Sequence, residues 1–523
     1  MDLPFHAYPD FHGRARPDTL FAIEGERQVT FGEGLELANR LANRILQAGL
    51  SKGDRLGMLC KNSIDMTLIY WAASKTGVVP VPLNYRLAPP EWAYILGDAR
   101  ADLVFCDSEF LAGIDSVRGE LSGVETYISI GDGGRPGWQE LTAWARDATA
   151  DDPGLDIGAD DIFYQMYTSG TTGHPKGVLQ THGGVLDNVL QAARTIGVTL
   201  EPGERILVVA PLYHAAAAVS CIKTMIEGGT MVIHRDFHPL AVVDSLERDE
   251  IVATSLVPAM IQMCLTHVND IAHRNFDKLR GITYGASPIA EDVLRRAIDA
   301  FDCDFVQGYG MTETSAVACL LSAGDHERAL AGEAHLLRSC GKPILGTGLR
   351  IVDRDGHDLP HGEVGEIVVR GPQIMQGYWN LPEATNAALR DGWLHTGDAG
   401  YQDAEGFVFI QDRVKDMVIS GGENIYPAEV ENALFAHPDI ADAAVIGVPD
   451  DTWGEAVLAF VVLRKGAEMS EGQVIEHART LLGGYKVPRH VRFIDDIPRN
   501  PTGKALKREL RKPFWEGHDR QVG

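Results

Sequence analysis

Between Tyr167 and Gly177 the chain reads YTSGTTGHPKG, with three glycines, four serine or threonine hydroxyls and one lysine in eleven residues. Glycine lets backbone N–H groups turn toward one centre and hydroxyls add further donors, so the stretch suits a polyphosphate. Lys176 supplies a mobile positive charge for the same anion. The Walker spacing is absent, because His174 and Pro175 separate Gly173 from Lys176 and Gly177 follows the lysine. Chemistry of the P-loop NTPase kind is therefore disfavoured. Taken alone, a glycine-rich surface turn reads the same way.

Five further clusters carry groups of chemical interest. In Gln307-Gly308-Tyr309-Gly310-Met311-Thr312-Glu313 the glycines permit close backbone approach and Tyr309 offers a flat face for a base. Glu313 is a hard oxygen ligand for Mg²⁺, although a polar turn opening a helix, with Thr312 as its cap, fits as well. In the run from Gly392 through His395 to Asp398, the aspartate can accept both hydroxyls of a ribose. Arg413 lies in Asp412-Arg413-Val414-Lys415-Asp416. Locally, a solvated turn explains each of these last two stretches. A second glycine loop, Ser420-Gly421-Gly422-Glu423-Asn424, follows, and Pro498-Arg499-Asn500-Pro501-Thr502-Gly503-Lys504 presents a lysine on a turn.

The elements that must position these groups alternate in period. Thr30 with Glu33 makes a capping box, Leu35, Ala38, Leu41, Ala42 and Ile45 recur at helical spacing, and Gly49 stops the helix. Strand-like runs at 56–60, 78–81 and 102–106 flank a helix over 64–75, so the first 150 residues read β-α-β-α. After the phosphate-type loop the pattern resumes, with strands at 206–210, 230–233, 252–257 and 281–284. Ligands bind at the carboxyl ends of such parallel strands. From about residue 340, short alternating runs at 349–352, 366–370 and 407–410, with turns such as Asp355-Gly356, predict an antiparallel subdomain. A strand at 417–419, a helix from Pro427, strands at 444–448 and 457–462 and a helix at 474–482 predict a small α+β domain.

The fold class is thus α/β: a large N-terminal domain over 1–412, with parallel sheets flanked by helices and the antiparallel subdomain at about 340–412, then a linking segment at 413–416 and a small domain over 417–523. A length of 523 residues calls for several domains, and 45% hydrophobic residues suit globular cores. The net charge of −26 disfavours nucleic-acid binding and requires any anionic ligand to find a locally basic site. Seven scattered cysteines without a C-x-x-C pair argue against a disulfide framework or structural zinc. No secretory signal or membrane-spanning run is present in the sequence, and the expected compartment is the cytoplasm.

In this order and spacing, YTSGTTGHPKG, QGYGMTE, WLHTGD, DRVKDMVISGGENIYPAEVE and PRNPTGK resemble the adenylate-forming superfamily, which includes acyl-CoA synthetases, aryl-CoA ligases, carrier-protein adenylation domains and beetle luciferases. The resemblance runs from the helix near Thr30 to Lys504. It implies that Thr168, Ser169, Gly170, Thr171, Thr172 and Lys176 hold ATP phosphates. Gly285, Ala286 and Ser287 would line the adenine and acyl pockets, beside Gln307, Gly308, Tyr309, Gly310 and Met311. Thr312 would contact a phosphate, Glu313 would bind Mg²⁺, and Asp398 with Arg413 would hold the ribose. Lys504 would be the catalytic lysine, with Glu313 and Thr168 beside it in the catalytic set.

The family also implies a mobile C-terminal domain turning about Lys415, which withdraws Lys504 and brings Ser420, Gly421 and Gly422 to a pantetheine channel. Arg86 would contact a CoA phosphate, where solvent exposure is the alternative. Tyr213 and His214 resemble the mouth of the acyl pocket, completed by Ala218, Val257, Gly285 and Gly310. The alanines from Ala215 to Ala218 leave room for a bulky or extended acid and no charge for a second carboxylate; a tight helix contact is the other reading. The expected activity is ligation of a monocarboxylic acid to CoA with ATP and Mg²⁺, releasing AMP and pyrophosphate. A medium- or long-chain fatty acid comes first; aryl acids, or loading of a separate carrier protein, are the alternatives. Small molecules are the expected partners, and the reading allows a homodimer.

Overall fold

A computed structural model describes residues 3–516 apart from 132–133, 169–174, 198, 287–288, 290, 414–415, 421–422, 451–452 and 500–504. The side chains of residues 412, 413, 419, 423 and 424 are also outside the description. The chain divides into two compact units, residues 1–348 with 370–394, and residues 349–369 with 395–523.

The first unit is built on two large sheets. In the five-stranded one, Arg55–Leu59 lies between Val79–Pro82 and Ala101–Asp107, followed by Thr126–Ile130 and Gln139–Glu140, all parallel. The nine-stranded sheet has a parallel centre in the order Thr230–Ile233, Arg205–Val208, Ile251–Leu256, Gly281–Gly285 and Asp304–Tyr309. Its edges carry an antiparallel strand, Cys319–Leu321, and an N-terminal hairpin, Leu20–Glu24 with Arg27–Thr30, that alternation alone did not reveal. Strands of five and four residues, each with a charge at the end facing the turn, give too short a pattern to register.

The expected helix starting at Thr30 is present as Phe31–Gln47, with both bonds of its capping box formed. The helix expected over 64–75 is Ile64–Thr76; all but Asp65 of its residues are buried, since sheets and helices cover it on every side. Its Lys75 has no side-chain exposure and is neutralised by Asp10 at 2.5 Å and Asp152 at 3.1 Å. Burying a charge in this way is tolerable only with its counter-charges in place.

The second unit holds most of the residues of an expected antiparallel sheet, whose long strand Trp393–Gln402 pairs antiparallel with Val408–Arg413. It also holds the α+β portion. There Ile440–Asp450 and Gly454–Leu463 form an antiparallel pair covered by helices Pro427–Phe435 and Glu471–Leu481. Among the described residues, no helix is long and apolar enough to cross a membrane.

Candidate active site

The phosphate-type stretch is the turn of an antiparallel hairpin. Strand Ile162–Thr168 leads into it and strand Lys176–Thr181 leaves it, with Thr168 opposite Lys176 and Tyr167 opposite Gly177. Thr168 and Lys176 therefore close the base of the turn as a cross-strand pair. Ser169, Gly170, Thr171 and Thr172 lie outside the described residues. A third short strand, Gly377–Tyr378, pairs with the outgoing one. It sets the Tyr378 ring under Lys176, with Nζ 5.0 Å from the ring centroid. The face of an aromatic ring attracts an ammonium, which fixes the direction of the lysine.

Tyr378 also donates its hydroxyl to Oε1 of Glu313 at 2.8 Å. Glu313 is only 5% exposed and lies in the short turn Thr312–Thr314 that follows strand Asp304–Tyr309. This is a one-turn 3-10 element rather than the start of a helix. The turn is latched to the hairpin: Gln180 Nε2 donates to the Thr312 carbonyl at 2.8 Å, and the Ser315 hydroxyl donates to Gln180 Oε1 at 3.1 Å. Lys176, Tyr378 and Glu313 thus form one continuous cation–ring–carboxylate chain. A single carboxylate with substrate phosphates nearby is the donor set Mg²⁺ ordinarily uses, and Glu313 fits it with Oε1 held by the tyrosine.

The nine-stranded sheet brings several more of the unit's expected site residues to one edge. Because its central strands are parallel and neighbouring, their carboxyl ends fall in a row. Tyr213 and His214 follow Arg205–Val208, Val257 follows Ile251–Leu256, Gly285 ends Gly281–Gly285, and Gln307, Gly308 and Tyr309 fall at the end of Asp304–Tyr309. Gly285 pairs with Gly308, so closely that a Cβ on Gly285 would collide with the Gly308 carbonyl. One residue on, Ala286 is held at φ 66, the left-handed region that non-glycine residues avoid. Met311 packs with Val178 and Met375 beneath the hairpin. Ser287 is outside the description.

At the expected mouth, Tyr213 is 5% exposed, and its ring lies 4.4 Å from that of His214 and 5.3 Å from that of Tyr85. Burial pushes the Tyr213 hydroxyl's pKa up, opposed by the charge of Arg86. Arg86 is exposed, its guanidinium 5.7 Å from the Tyr85 ring centroid. The alanine run opens helix Ala215–Glu227; Ala215, Ala217 and Ala218 join the core and only Ala216 is exposed. Ala218 faces Tyr70, Leu212 and Met225 around a void of about 10 Å³, at the lower limit for one water.

On the second unit, Asp398 and Arg413 are direct cross-strand partners. Asp398 is 5% exposed, and its N–H donates to the Thr396 hydroxyl at 3.1 Å. Ser420 is buried and pairs with Glu423 and Gly454. Gly421, Gly422, Lys415 and Lys504 lie outside the described residues. Sequence reasoning missed Tyr378, Gln180 and Ser315. Their signal is weak, since each acts through a partner distant in sequence and none belongs to a glycine-rich run.

Comparison with known proteins adds an independent line. Residues 10–379 match the family model "AMP-binding enzyme", and residues 429–504 match "AMP-binding enzyme C-terminal domain". The chain is 38% identical to a feruloyl-CoA synthase of Amycolatopsis sp over 97% of its length and 98% of the relative's. It is 36% identical to a fatty acid–[acyl-carrier-protein] ligase of Streptomyces coeruleorubidus over 98% of its length and 96% of the relative's. Among solved structures, o-succinylbenzoate CoA synthetase from Bacillus subtilis, in complex with its acyl-adenylate intermediate, superposes with a TM-score of 0.84 at 31% identity, covering 98% of each chain. A fatty acyl CoA synthetase of Mycobacterium tuberculosis gives 0.78 at 33%, covering 99% of each. Phosphate-type hairpin, latched carboxylate turn and strand-edge pocket residues thus occur in a chain that belongs to the AMP-binding enzyme family of adenylate-forming enzymes.

Proposed function

We propose that this enzyme joins a monocarboxylic acid to CoA through an acyl-adenylate. The Lys176–Tyr378–Glu313 chain carries the reading, because it holds a cation and a buried carboxylate together at the base of a phosphate-type turn. In the first half-reaction a substrate carboxylate oxygen attacks the α-phosphorus of ATP and pyrophosphate leaves. Two anions must approach, so positive charge where negative charge concentrates in the transition state is what raises the rate. Lys176 and Thr168, at the base of the turn, hold phosphate. Glu313 would hold Mg²⁺, which supplies further charge neutralisation when bound. Lys504 is assigned the cation at the reacting carboxylate. Gly285 and Gly308 to Tyr309 provide the flat, side-chain-poor lining that a base requires, and Asp398 with Arg413 takes the ribose. In the second half-reaction the CoA thiol attacks the acyl carbonyl and AMP leaves, with Ser420 to Gly422 and Arg86 on the CoA side. Exchange of Lys504 for the Ser420 segment about Lys415 separates the two steps.

The acid is a medium- or long-chain fatty acid in this reading. Of the acyl-pocket set, Tyr213, Ala218, Val257, Gly285 and Gly310 bring no formal charge to a second polar end, with His214 standing at the mouth, and a fatty acid ligase stands among the relatives. The feruloyl-CoA synthase relative supports an aryl acid as the second reading, and the carrier-protein ligase supports a protein-bound thiol as acceptor. Pyrophosphate release over a panel of fatty, cinnamic and benzoic acids, with and without CoA, tests these together. Turnover on fatty acids only with CoA is expected. Adenylate formed without CoA-dependent turnover would favour a carrier protein, and no turnover on any acid would sink the ligase reading.

A further inference from the structure

We propose that Asp98 is a positioning residue for the phosphate-binding hairpin, tying both flanks of the turn to the end of a single helix. Asp98 stands in the last turn of helix Pro89–Ala99, some seventy residues before the turn in sequence and outside every glycine-rich motif. Its carboxylate accepts the Tyr167 hydroxyl at 2.5 Å, on the incoming flank. Its backbone carbonyl accepts Trp379 Nε1 at 2.9 Å, and the Trp379 N–H donates to the Gly177 carbonyl at 2.7 Å, on the outgoing flank.

The connection closes into a ring. The Tyr167 hydroxyl accepts from Gln165 Nε2 at 3.0 Å, and Gln165 Oε1 accepts from Arg55 Nε at 3.3 Å. The Arg55 guanidinium lies 3.5 Å from the Trp379 ring centroid, which returns the path to Asp98. One helical turn back, the Tyr94 hydroxyl reaches the Pro175 carbonyl at 3.5 Å, just before Lys176. The ring runs over Gly177: a Cβ there would sit 2.6 Å from Gln165 Nε2 and 3.1 Å from Tyr167 Cζ. The glycine of the motif's Pro-Lys-Gly therefore serves close approach, and its φ is not in the left-handed region.

Burial, and then the Asp98 carboxylate itself, push the Tyr167 hydroxyl's pKa up, so it remains a donor wherever the enzyme works. A carboxylate near a polyphosphate site is unfavourable for binding in Coulomb terms alone. Asp98 acts through Tyr167, fixing the strand ends at which Thr168 and Lys176 oppose each other. A charge-assisted hydrogen bond is the strong kind, which suits a fixed stem.

The inference rests on the ATP reading of the turn, and one titration series separates the two. Wild type, Asp98→Asn, Tyr167→Phe and the double variant are titrated calorimetrically with MgATP, and thioester formation from preformed acyl-adenylate is measured alongside. Expected is roughly tenfold weaker ATP binding in each single variant, no further loss in the double variant, and thioester formation within about twofold of wild type. Absence of ATP binding by wild type would sink the ATP reading. Wild-type binding with unchanged or tighter binding in the variants would sink the role of Asp98 alone. Additive losses, equal loss in both half-reactions, or failure of both single variants to fold would also overturn it, because the bond would then serve the fold at large.

Discussion

Replacing Tyr378 with phenylalanine removes one oxygen and tests whether the metal-ligand candidate needs its brace. The ring stays, so Lys176 keeps its aromatic face; what disappears is the hydroxyl donated to Glu313 at 2.8 Å. Glu313 is 5% exposed, so water does not freely replace that donor. A hydrogen bond to a charged group contributes about 1.5–3 kcal/mol. Taking the lower half of that range, at 1.4 kcal/mol per tenfold, adenylation should slow by roughly 10–40-fold. Exchange of labelled pyrophosphate into ATP measures that step without CoA. Thioester formation from preformed acyl-adenylate is the control and should stay within about twofold. Unchanged exchange would mean that Glu313 is set by its other surroundings. An equal fall in both half-reactions would mean that the variant damages the protein generally. Either result refutes the reasoning.

Lys504→Ala should abolish pyrophosphate exchange while thioester formation from preformed acyl-adenylate survives; equal loss of both would undo the division of labour between the two steps. Lys75→Ala strands the buried Asp10 carboxylate, leaving Trp71 Nε1 at 2.8 Å and Arg14 at 3.6 Å as its partners. Urea unfolding should lose about 3–5 kcal/mol, and a loss below about 1 kcal/mol would show that the pair is not a buried network. Burial lowers the pKa of His182 to about 3 and of His6 to about 4, against an ordinary 6.5. The unfolded chain therefore takes up these protons first, and stability present above pH 6.5 is lost as pH falls from 6.5 toward 3. His182→Gln should flatten that slope in urea midpoints measured across the window, and an unchanged slope would assign the loss to other groups.

Much of this molecule was legible from one sequence because its devices are local. A capping box such as Thr30 with Glu33, or a strand run such as Thr230–Ile233, is decided within a few residues. The glycines and hydroxyls of the phosphate-type motif stand out for the same reason, since they lie side by side in the chain. The groups that went unseen act across long separations. Tyr378 reaches Glu313, Asp98 reaches Tyr167 and Ser315 reaches Gln180, each as an ordinary polar residue in an ordinary stretch. The alanine run shows the opposite limit: residue size was legible, but facing was not, and three of its four members face the core. A helix of small residues has no polar face to fix its rotation from sequence.

The ring through Asp98 bears on how such enzymes can be recombined. A chimera that takes its phosphate-type motif from one parent and the preceding helix from another cuts Tyr167 from Asp98, and it cuts Trp379 from either Asp98 or Gly177. Each parent's motif would survive as text while its stem lost the bonds that hold it. Residue 55, segments 89–99 and 165–177 and residue 379 form one heritable block spread over more than 300 positions. Crossovers that keep the block intact should yield active offspring far more often than those that split it, whatever acid either parent activates.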